Sequence, residues 1–379
     1  MVIKNANAVL PGSIEKKDLR IKEGVISEIE DLIVPMQNEE VYDAKGNYLF
    51  SGFIDSHTHG AVGEVYSNDF SDLDKITEFE ATEGITTVAS TLLASPIPNM
   101  LANIKHTLSF IKKGTRGAKI GGIHSEGPFL NVEKKGAMNP RSLILPSVSV
   151  FNELYEASEG HLKIITIAPE LEGALDVIKE AVKKGVAVSA GHSDATYEET
   201  LKAVDAGVSR ITHTFNAIRP LSHREPGILG AALTDDRLNC EVICDFGHVS
   251  PVIVKMIYSL KGCDNFTAIS DSEFAAGIKE GRMESDGLVR IIKDGLVKLE
   301  NGTIAGSASS VYRGFKNLVS LGIPFTHVSK MMSANPAKAL GLYENTGSIE
   351  VGKCADLAII ADDLSVKSTF VDGKKVFEK

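Results

Sequence analysis

The chain has 379 residues, of which 43% are hydrophobic and 34 are glycine, and its 40 basic and 50 acidic side chains give a net charge of −10. This composition predicts a folded protein with a large core and excludes an intrinsically disordered chain. Because the sequence is acidic and has no stripe of Lys and Arg, it argues against nucleic acid or an anionic membrane as the main partner.

The N-terminal sequence and the cysteines indicate the location of the protein in the cell. The first residues, MVIKNANAVLPGS, lack the basic and then apolar pattern of a secretion signal, and no apolar run approaches the ~20 residues of a membrane span. No C-x-x-C pair occurs, so we expect the four cysteines to be reduced: Cys240, Cys244, Cys263 and Cys354. We therefore expect a cytoplasmic protein.

Short antiparallel strands are predicted at both ends of the chain. Residues 1–50 alternate apolar and polar positions around three turn signals, Pro11-Gly12, Glu23-Gly24 and Lys45-Gly46. Residues 346–379 return to the same pattern. We expect these two terminal segments to pair into one small β-sandwich domain.

Residues 51–345 alternate apolar runs with amphipathic helical segments. Eight apolar runs, the first at 53–59, have the pattern of buried parallel strands. Eight strands with intervening helices make a (β/α)₈ barrel of the TIM type, an α/β fold. Several helical segments stop at a glycine, as expected where a left-handed residue precedes the next strand: Gly84, Gly114, Gly160, Gly185, Gly207 and Gly262.

Two insertions interrupt the regular spacing of the barrel. Residues 127–147 follow the third strand, and residues 273–310 follow the eighth. Long loops after barrel strands usually cover or shape the substrate pocket, although an excursion without function is the alternative. In the second insertion, LVRIIKDGLVKLENGTIAGS is predicted to form a hairpin through Asp294-Gly295.

Metal-binding and proton-transfer side chains recur at the ends of six apolar runs. These ends read FIDSHTH, IGGIHSEGPF, VAVSAGHS, RITHTFNA, VICDFGHVS and FTAISDS. A single histidine at such a position is more often a hydrogen-bonded loop or core residue, but five of the seven candidate residues at these ends are histidines, and the chain has only ten. Because barrels keep their chemistry at the carboxyl ends of the strands, we expect one site formed by His57, His59, Glu126, His192, His213, His248 and Asp271.

The spacing of these residues favours a metal site. His57 and His59 project to the same side of a strand and can chelate one ion, and Glu126, His192 and His213 could supply an open three-ligand site. Imidazoles and carboxylates without thiolates suit Zn²⁺, with Fe²⁺, Co²⁺ or Mn²⁺ as alternatives. An open position on such an ion lowers the pKa of bound water towards neutrality, so we expect a hydrolase that holds one or two ions.

Two residues are candidates for the proton transfer and for the stabilisation of charge. Asp271, at the end of the last strand, could take the proton from the attacking water and return it to a leaving amine. His248 could donate a hydrogen bond to a carbonyl oxygen that becomes negative. The alternatives are a turn or helix-capping role for Asp271 and a helix-capping role for His248 beside Ser250-Pro251.

The segments HSEGPF, SAGHSDA, THTFNA, REPG and IAGS, in this order on a barrel, resemble the N-acetylglucosamine-6-phosphate deacetylase family of the amidohydrolase superfamily. The resemblance extends from DSHTHG to GSIEVGKCADL at 347–357. It implies that Glu126, His192 and His213 bind the main metal ion and that His57 and His59 provide a second metal site. It also implies that Asp271 is the catalytic acid and base and that His248 contacts the acetamido group.

The resemblance also implies the substrate contacts and the assembly. The expected substrate-binding positions are Ala137, Met138, Asn216, Ala217, Arg224, His248, Ala305, Gly306 and Ser307. Arg224 is the expected phosphate ligand, and relatives with this motif look dimeric, so we expect a homodimer in which His223 or Arg224 could act across the interface. Two departures concern the sugar and strand eight: Met138 replaces a polar residue, often His, and Ser270 stands where Thr is common.

The activity that the resemblance implies is metal-dependent removal of acetate from N-acetyl-D-glucosamine 6-phosphate in amino sugar catabolism. N-acetylgalactosamine 6-phosphate is the nearest alternative substrate. A cyclic amidase of the dihydroorotase type would need a carboxylated Lys after the fourth strand, where TIAPE has none. A catalytically silent barrel would have lost ligands, and here the sequence keeps the whole set.

Overall fold

The first fifty residues form short strands, as their alternating pattern predicts. The computed structural model describes residues 1–285, 288–300, 302 and 304–379. Inward-facing Ile3, Leu19 and Leu49 are apolar and fully buried, which is the alternation expected of a sheet with one covered face. The five N-terminal strands are β1 Val2–Leu10, β2 Ser13–Lys22, β3 Val25–Glu30, β4 Val41–Asp43 and β5 Tyr48–Ser51.

Parallel strands and a short hairpin follow from Phe53 onwards. The strands up to the eighth barrel strand are β6 Phe53–Thr58, β7 Gly60–Ala61, β8 Glu64–Val65, β9 Ile85–Leu93, β10 Lys119–Glu126, β11 Leu162–Ile167, β12 Ala187–Ala190, β13 Val208–Ile211, β14 Asn239–Ile243 and β15 Phe266–Ile269. Eight of them form one parallel sheet in the order β15-β14-β13-β12-β11-β10-β9-β6. This order confirms the predicted α/β barrel.

Helices connect the barrel strands and end where the sequence predicts. Helix α5 begins with a capping box in which Thr196 and Glu199 satisfy each other's backbone N–H groups, and the positive φ of Gly207, 120°, ends it. The α-helices are α1 Leu73–Thr82, α2 Ile97–Lys113, α3 Val148–Ala157, α4 Ala174–Lys183, α5 Tyr197–Ala206, α6 Gly227–Thr234, α7 Pro251–Lys261, α8 Val311–Ser320, α9 Phe325–Ser329 and α10 Asn335–Ala339. A π-helical turn, Lys330–Ala334, joins the last two, and the first insertion contains the 3₁₀ turns Val132–Lys134 and Pro140–Ser142.

The second insertion forms a small antiparallel sheet. Its strands are β16 Gly281–Ser285, β17 Leu288–Lys293, β18 Leu296–Leu299 and β19 Ile304–Ser307. Asp294 and Gly295 join β17 to β18 with φ values of 55° and 79°, as a two-residue hairpin turn requires, which confirms the predicted turn. Asn301 and Thr303 of the predicted segment lie outside the described residues.

The two ends of the chain share a second sheet, separate from the barrel. The C-terminal strands are β20 Leu357–Ile360, β21 Val366–Val371 and β22 Lys374–Glu378. The sheet has the order β22-β21-β20-β5-β1-β2-β3, with β4 paired to β1, and antiparallel pairing of β20 with β5 joins the two ends. The pairing of the termini is as predicted, and the domain limits 1–50 and 346–379 remain a proposal.

The barrel has an apolar floor and a polar upper half. Ile54, Ala89 and Ile164 point inwards and pack against Ala337 and Leu340 at the end of α10. Above this floor the inward side chains are hydroxyls, carboxylates and imidazoles, which places the chemistry at the carboxyl ends of the strands. None of the described helices combines the length and the apolar character that crossing a membrane demands.

Backbone hydrogen bonds join the first and last barrel strands just beyond the regular part of β15. The backbone N–H of Asp271 donates to the carbonyl oxygen of His57 at 2.9 Å, and the N–H of His59 donates to the carbonyl oxygen of Ser272 at 2.8 Å. Strand β19 extends this junction, because Ser307 donates to the carbonyl oxygen of Asp271 at 3.1 Å. The barrel therefore closes through the same residues that carry the predicted site.

Candidate active site

The strand ends bring six of the predicted residues into two adjoining groups. The ligand atoms of Glu126, His192 and His213 all lie within 4.8 Å of one another, and so do those of His57, His59 and Asp271. Glu126 connects the groups, because its Oε1 lies 3.1 Å from His213 Nε2 and its Oε2 lies 3.3 Å from His59 Nε2. The convergence expected from the sequence is present in the fold.

Unusual backbone conformations turn several of these side chains towards the centre. His192, His213 and Asp271 have φ values of 47°, 27° and 50°, a region that residues other than glycine seldom adopt. Neighbouring backbone holds two of them in place, because Asn131 N–H donates to the carbonyl oxygen of His192 at 3.0 Å and Asn216 N–H to that of His213 at 2.9 Å. The fold therefore holds these strained backbone conformations already, and the site is preorganised before a ligand binds.

Asp55 positions His57 and was not predicted from the sequence. The register of β6 against β9 shifts between Asp55 and Thr58. Asp55 Oδ1 accepts hydrogen bonds from the backbone N–H of His57 at 3.2 Å and of Ser270 at 3.3 Å, and the side chain is fully buried. It fastens the irregular end of β6 to the end of β15. The FIDSHTH segment contained this aspartate, but no sequence pattern identifies a carboxylate that accepts hydrogen bonds from backbone N–H groups.

Four histidines share one hydrogen-bonding pattern. In each of them Nδ1 faces an oxygen that can only accept: Thr91 O for His59 (3.3 Å), Lys134 O for His192 (2.8 Å), Asn216 O for His213 (3.1 Å) and Glu241 Oε2 for His57 (3.2 Å). Nδ1 must then carry the proton, which leaves the lone pair on Nε2 in the neutral ring. All four Nε2 atoms face the carboxylates of Glu126 and Asp271.

The charges of this cluster favour a cation. Burial alone would raise the pKa of the Glu126 carboxyl, but the surrounding imidazoles hold that pKa well below its usual range. Burial likewise disfavours charge on His59, yet the carboxylates of Asp271 and Glu126 raise its pKa to about 10. The two buried carboxylates therefore favour positive charge between them, and a divalent cation supplies it while the histidines stay neutral.

The donor set fits such an ion. His57 Nε2 is buried and forms no hydrogen bond within the described part of the chain, although it lies 3.3 Å from Glu126 Oε1 and 3.4 Å from Asp271 Oδ1. His192 Nε2 and His213 Nε2 are only 3.0 Å apart, and their lone pairs face each other. Nitrogen and oxygen atoms without sulfur suit zinc and its first-row neighbours.

A pocket opens above the cluster and contains most of the predicted substrate positions. Seven of them line it: Ala137, Met138, Asn216, Ala217, His248, Ala305 and Gly306. Ser307 is buried below the pocket, where its N–H pairs with Asp271, and His57 lies beneath the floor. Arg224 is exposed on the loop that precedes α6 and does not line the pocket of its own chain.

Leu93, Glu273 and Ile304 also line the pocket and were not among the predicted residues. Glu273 follows Asp271 by two positions, and the alternation of an extended chain could have suggested that both carboxyls face the same side. Gly306 makes room for it, because a Cβ on Gly306, whose φ is 126°, would lie 2.4 Å from Glu273 Cγ. The pocket wall thus combines a carboxyl group with the apolar side chains of Leu93 and Met138.

Known proteins share the whole architecture. The amidohydrolase family matches residues 48–376. N-acetylgalactosamine-6-phosphate deacetylase from Escherichia coli O157:H7 is 32% identical over 365 residues, which cover 96% of this chain and 95% of the relative. The structure of N-acetylglucosamine-6-phosphate deacetylase from Thermotoga maritima shares 34% identity with a TM-score of 0.90, and 100% of each chain is covered. The chain belongs to the N-acetylglucosamine-6-phosphate deacetylase family.

Membership of this deacetylase family confirms the resemblance predicted from the strand-end segments. A mutant of the Mycobacterium smegmatis N-acetyl-D-glucosamine-6-phosphate deacetylase, solved in complex with N-acetyl-D-glucosamine-6-phosphate, is 29% identical to this chain with a TM-score of 0.91, and 99% of each chain is covered. Amidohydrolases depend on metal, and the Glu126 and Asp271 groups described above are this chain's candidate ligands. The deacetylase fold and the candidate metal cluster therefore occur together.

Proposed function

We propose that the chain is a metal-dependent hydrolase that converts N-acetyl-D-glucosamine 6-phosphate and water to glucosamine 6-phosphate and acetate, in amino sugar catabolism. The observation that carries this proposal is the set of Nδ1-protonated histidines whose Nε2 atoms face Glu126 and Asp271 beneath an open pocket. Membership of the deacetylase family supports the same reaction.

We propose that Glu126, His192 and His213 hold the main ion and that His57 and His59 hold a second one. Zn²⁺ suits these donors, with Fe²⁺, Co²⁺ and Mn²⁺ as alternatives. When bound, such an ion polarises the amide carbonyl and acidifies a water molecule. His192→Ala should abolish both tight metal retention and turnover, and elemental analysis that finds wild-type metal content in this variant would contradict the assignment.

Asp271 is the proposed acid and base. Burial alone would raise the pKa of this carboxyl, but the neighbouring imidazoles of His57 and His59 hold it well below the usual range, so the group is a carboxylate at neutral pH. It accepts a proton from the attacking water while the water oxygen bonds to the acetyl carbon. It then returns that proton to the nitrogen as the carbon–nitrogen bond breaks, which releases acetate and the free amine.

His248 is the proposed donor to the acetyl oxygen. Its Nδ1 donates to Asp245 Oδ2 at 2.8 Å, so only the charged ring has a second N–H to donate from Nε2. Burial lowers the pKa of His248, but the Asp245 carboxylate outweighs this and raises it overall, which favours the charged ring. Removal of this donor in His248→Asn should raise the barrier by roughly 2 to 4 kcal/mol, as for other oxyanion donors.

We propose a homodimer because the 6-phosphate of the substrate needs an Arg or Lys side chain, and the described residues that line the pocket of a single chain include neither. A dianion needs a local cation in an acidic protein, and Arg224 lies on an exposed loop outside its own pocket. We propose that Arg224 reaches the pocket of a neighbouring subunit, with His223 beside it and with the backbone N–H groups near Asn216 and Ala217 assisting. A phosphorylated substrate of this kind does not cross membranes unaided, which supports a cytoplasmic location.

N-acetylgalactosamine 6-phosphate is a second candidate substrate, because the Escherichia coli relative is named for it and Met138 gives the pocket an apolar wall. Acetate release from both phosphorylated sugars, and from unphosphorylated N-acetylglucosamine, separates the possibilities. We expect the highest kcat/KM with N-acetylglucosamine 6-phosphate. Equal kcat/KM with and without the phosphate would reject a sugar-phosphate enzyme, and a preference for the galactose configuration would reject the first candidate alone.

A further inference from the structure

The hydrogen-bond partner of His57 differs in kind from those of the other three histidines. His59, His192 and His213 each donate from Nδ1 to a backbone carbonyl oxygen. His57 instead faces a carboxylate, Glu241 Oε2, at 3.2 Å. Both side chains are fully buried, so water does not weaken their interaction.

A second buried charge holds this carboxylate in place. Arg210 Nε and Nη2 lie 3.2 and 3.0 Å from Glu241 Oε1, and only 3% of Arg210 is exposed. The two residues lie on neighbouring strands, β13 and β14, and Glu241 uses Oε1 for Arg210 and Oε2 for His57. Arg210 therefore stabilises the anionic form of Glu241 and fixes the oxygen that faces His57.

An ion pair in the interior of a barrel has an unfavourable free energy of desolvation. Burying two charges removes their hydration, and apolar side chains of the same size are often as stable or more stable. The barrel floor of this chain is apolar, with Ile54, Ala89 and Ile164 in contact. The Arg210–Glu241 pair therefore needs an explanation beyond packing, and the free oxygen of the pair, Glu241 Oε2, faces His57.

We infer that Arg210 and Glu241 are a positioning pair that sets the affinity of the second metal site, formed by His57 and His59, and leaves the first site unaffected. A carboxylate acceptor on Nδ1 fixes the ring and makes Nε2 a stronger donor to a metal ion than a carbonyl acceptor does. His192 and His213 take their Nδ1 acceptors from Lys134 and Asn216, outside this pair. The inference rests on the proposed metal-dependent function.

Metal titration of paired variants tests the inference. Metal-free protein is titrated with Zn²⁺ in competition with a chromophoric chelator, for the wild type and for two double variants, Arg210→Met/Glu241→Gln and Arg210→Met/Glu241→Leu. The pair is changed together so that neither charge is left buried alone. A matched control, Arg20→Met/Glu39→Gln, removes a largely buried ion pair far from the site, where Arg20 Nε of β2 lies 3.1 Å from Glu39 Oε1 in the loop after β3.

We expect two ions per wild-type chain and an unchanged first ion in both variants. The second ion should bind roughly 10- to 100-fold more weakly in the Leu variant, and less weakly in the Gln variant, because an amide oxygen still accepts the Nδ1 proton. The control should bind both ions as the wild type does. If the Leu variant does not fold, the Arg210→Met/Glu241→Gln variant gives the comparison, with a smaller expected weakening of the second ion and no buried charge left unpaired.

Three outcomes overturn the inference. If the Leu variant binds both ions with wild-type affinity, Arg210 and Glu241 do not position His57. If both ions bind more weakly to the same degree, the pair has only a structural role. If the wild type binds a single ion at saturating Zn²⁺, there is no second site for the pair to act on, and this result is still compatible with a deacetylase that uses one ion. Conversely, wild-type protein that binds two ions but releases no acetate would reject the proposed function and leave the metal titration valid.

Discussion

At the scale of a single residue, Asp245 favours the protonated, charged form of His248. Its Oδ1 accepts the backbone N–H groups of Gly247 and His248, at 2.8 and 2.9 Å, while its Oδ2 holds the imidazole. The carboxylate is therefore fixed by its own loop before a substrate arrives. The protonation of His248 then depends on a neighbour that does not line the pocket.

We predict that Asp245→Asn shifts the alkaline limb of the kcat/KM profile to lower pH. The carboxylate raises the pKa of His248, so the charged ring persists to higher pH in the wild type and is lost earlier in the variant. The measurement is kcat/KM against pH for acetate release, with His248→Asn as a control in which this limb is absent. An unmoved limb in Asp245→Asn would show that another group controls it.

We predict that Asp271→Asn keeps the fold and the ion at Glu126, His192 and His213, while kcat falls by about 10²-fold or more. The amide cannot carry the proton from water to the leaving nitrogen. Steady-state kinetics and elemental analysis of the same preparation measure both quantities, and circular dichroism checks the fold. Turnover close to that of the wild type would reject the role of Asp271.

The sequence indicated the candidate ligands of this site but not the groups that orient their rings. His57, His192 and His213 were recognisable because a histidine at the end of an apolar run is visible in one dimension. Their Nδ1 partners include backbone carbonyls of Lys134 and Asn216, which have no residue-specific signature. The orientation of a ring depends on which strands and loops become neighbours, and a single sequence does not contain that information.

At the scale of elements, α1 buries an acidic side chain that feels the charge of Asp55 on β6. Glu80 is fully buried, and neither of its carboxylate oxygens has a hydrogen-bond partner in the described ranges. Burial, with the charge of Asp55 adding to it, raises the pKa of Glu80 well above its usual range. The folded chain therefore has to keep this group protonated at pH values where the unfolded chain ionises it.

We predict that Glu80→Gln stabilises the protein at pH 8 by about 1 to 3 kcal/mol and has little effect near pH 4. Because the folded pKa is raised, the wild type loses stability as the pH rises above the unfolded pKa of about 4.3, and the uncharged amide escapes this loss. Thermal unfolding at both pH values measures the difference. Glu78→Gln, a more exposed carboxyl of the same helix, is the control and should change little. A destabilised Glu80→Gln at pH 8 would contradict the argument.

The elements themselves were predicted unevenly. The eight barrel strands follow from local apolar runs, and each of the six glycine stops has a positive φ. Helix α6 was not predicted, because seven of its eight residues, Gly227–Leu233, are buried and the segment lacks the polar face that marks an amphipathic helix. The second insertion yielded one hairpin from its turn signal, whereas the attachment of β19 beside Asp271 depends on long-range pairing.

At the scale of the whole molecule, the proposed recognition of the phosphate depends on the proposed homodimer. We predict that Arg224→Ala lowers kcat/KM for the phosphorylated sugar and leaves slow hydrolysis of the neutral sugar unchanged, because only the former needs a bidentate cation. Kinetics with both substrates measure this preference. Arg237→Ala, which removes an exposed arginine paired with Asp205 and Asp235, is the control and should leave the preference intact.

A mixing experiment distinguishes the subunit that supplies the arginine. Arg224→Ala subunits keep an intact acid and base, and Asp271→Asn subunits keep an intact arginine. If Arg224 acts across a dimer interface, dissociation and reassociation of the two impaired proteins should restore activity towards the phosphorylated sugar in the hybrid dimer, in one of its two pockets. Without restored activity in a verified hybrid, the arginine would have to act within its own chain.

The junction between the first and last barrel strands also bears on how the chain folds. Thr58 Oγ1 and Ser272 Oγ, 214 residues apart in sequence, lie 2.8 Å apart where the barrel closes. Contacts of such large sequence separation form late, because the entropy of closing the intervening loop must be lost before they contribute. His57 and Asp271 thus become neighbours only when the last barrel strand pairs with the first. Uptake of an ion by the His57 group should therefore be among the slowest events of refolding, and a coloured ion such as Co²⁺ would report it in real time.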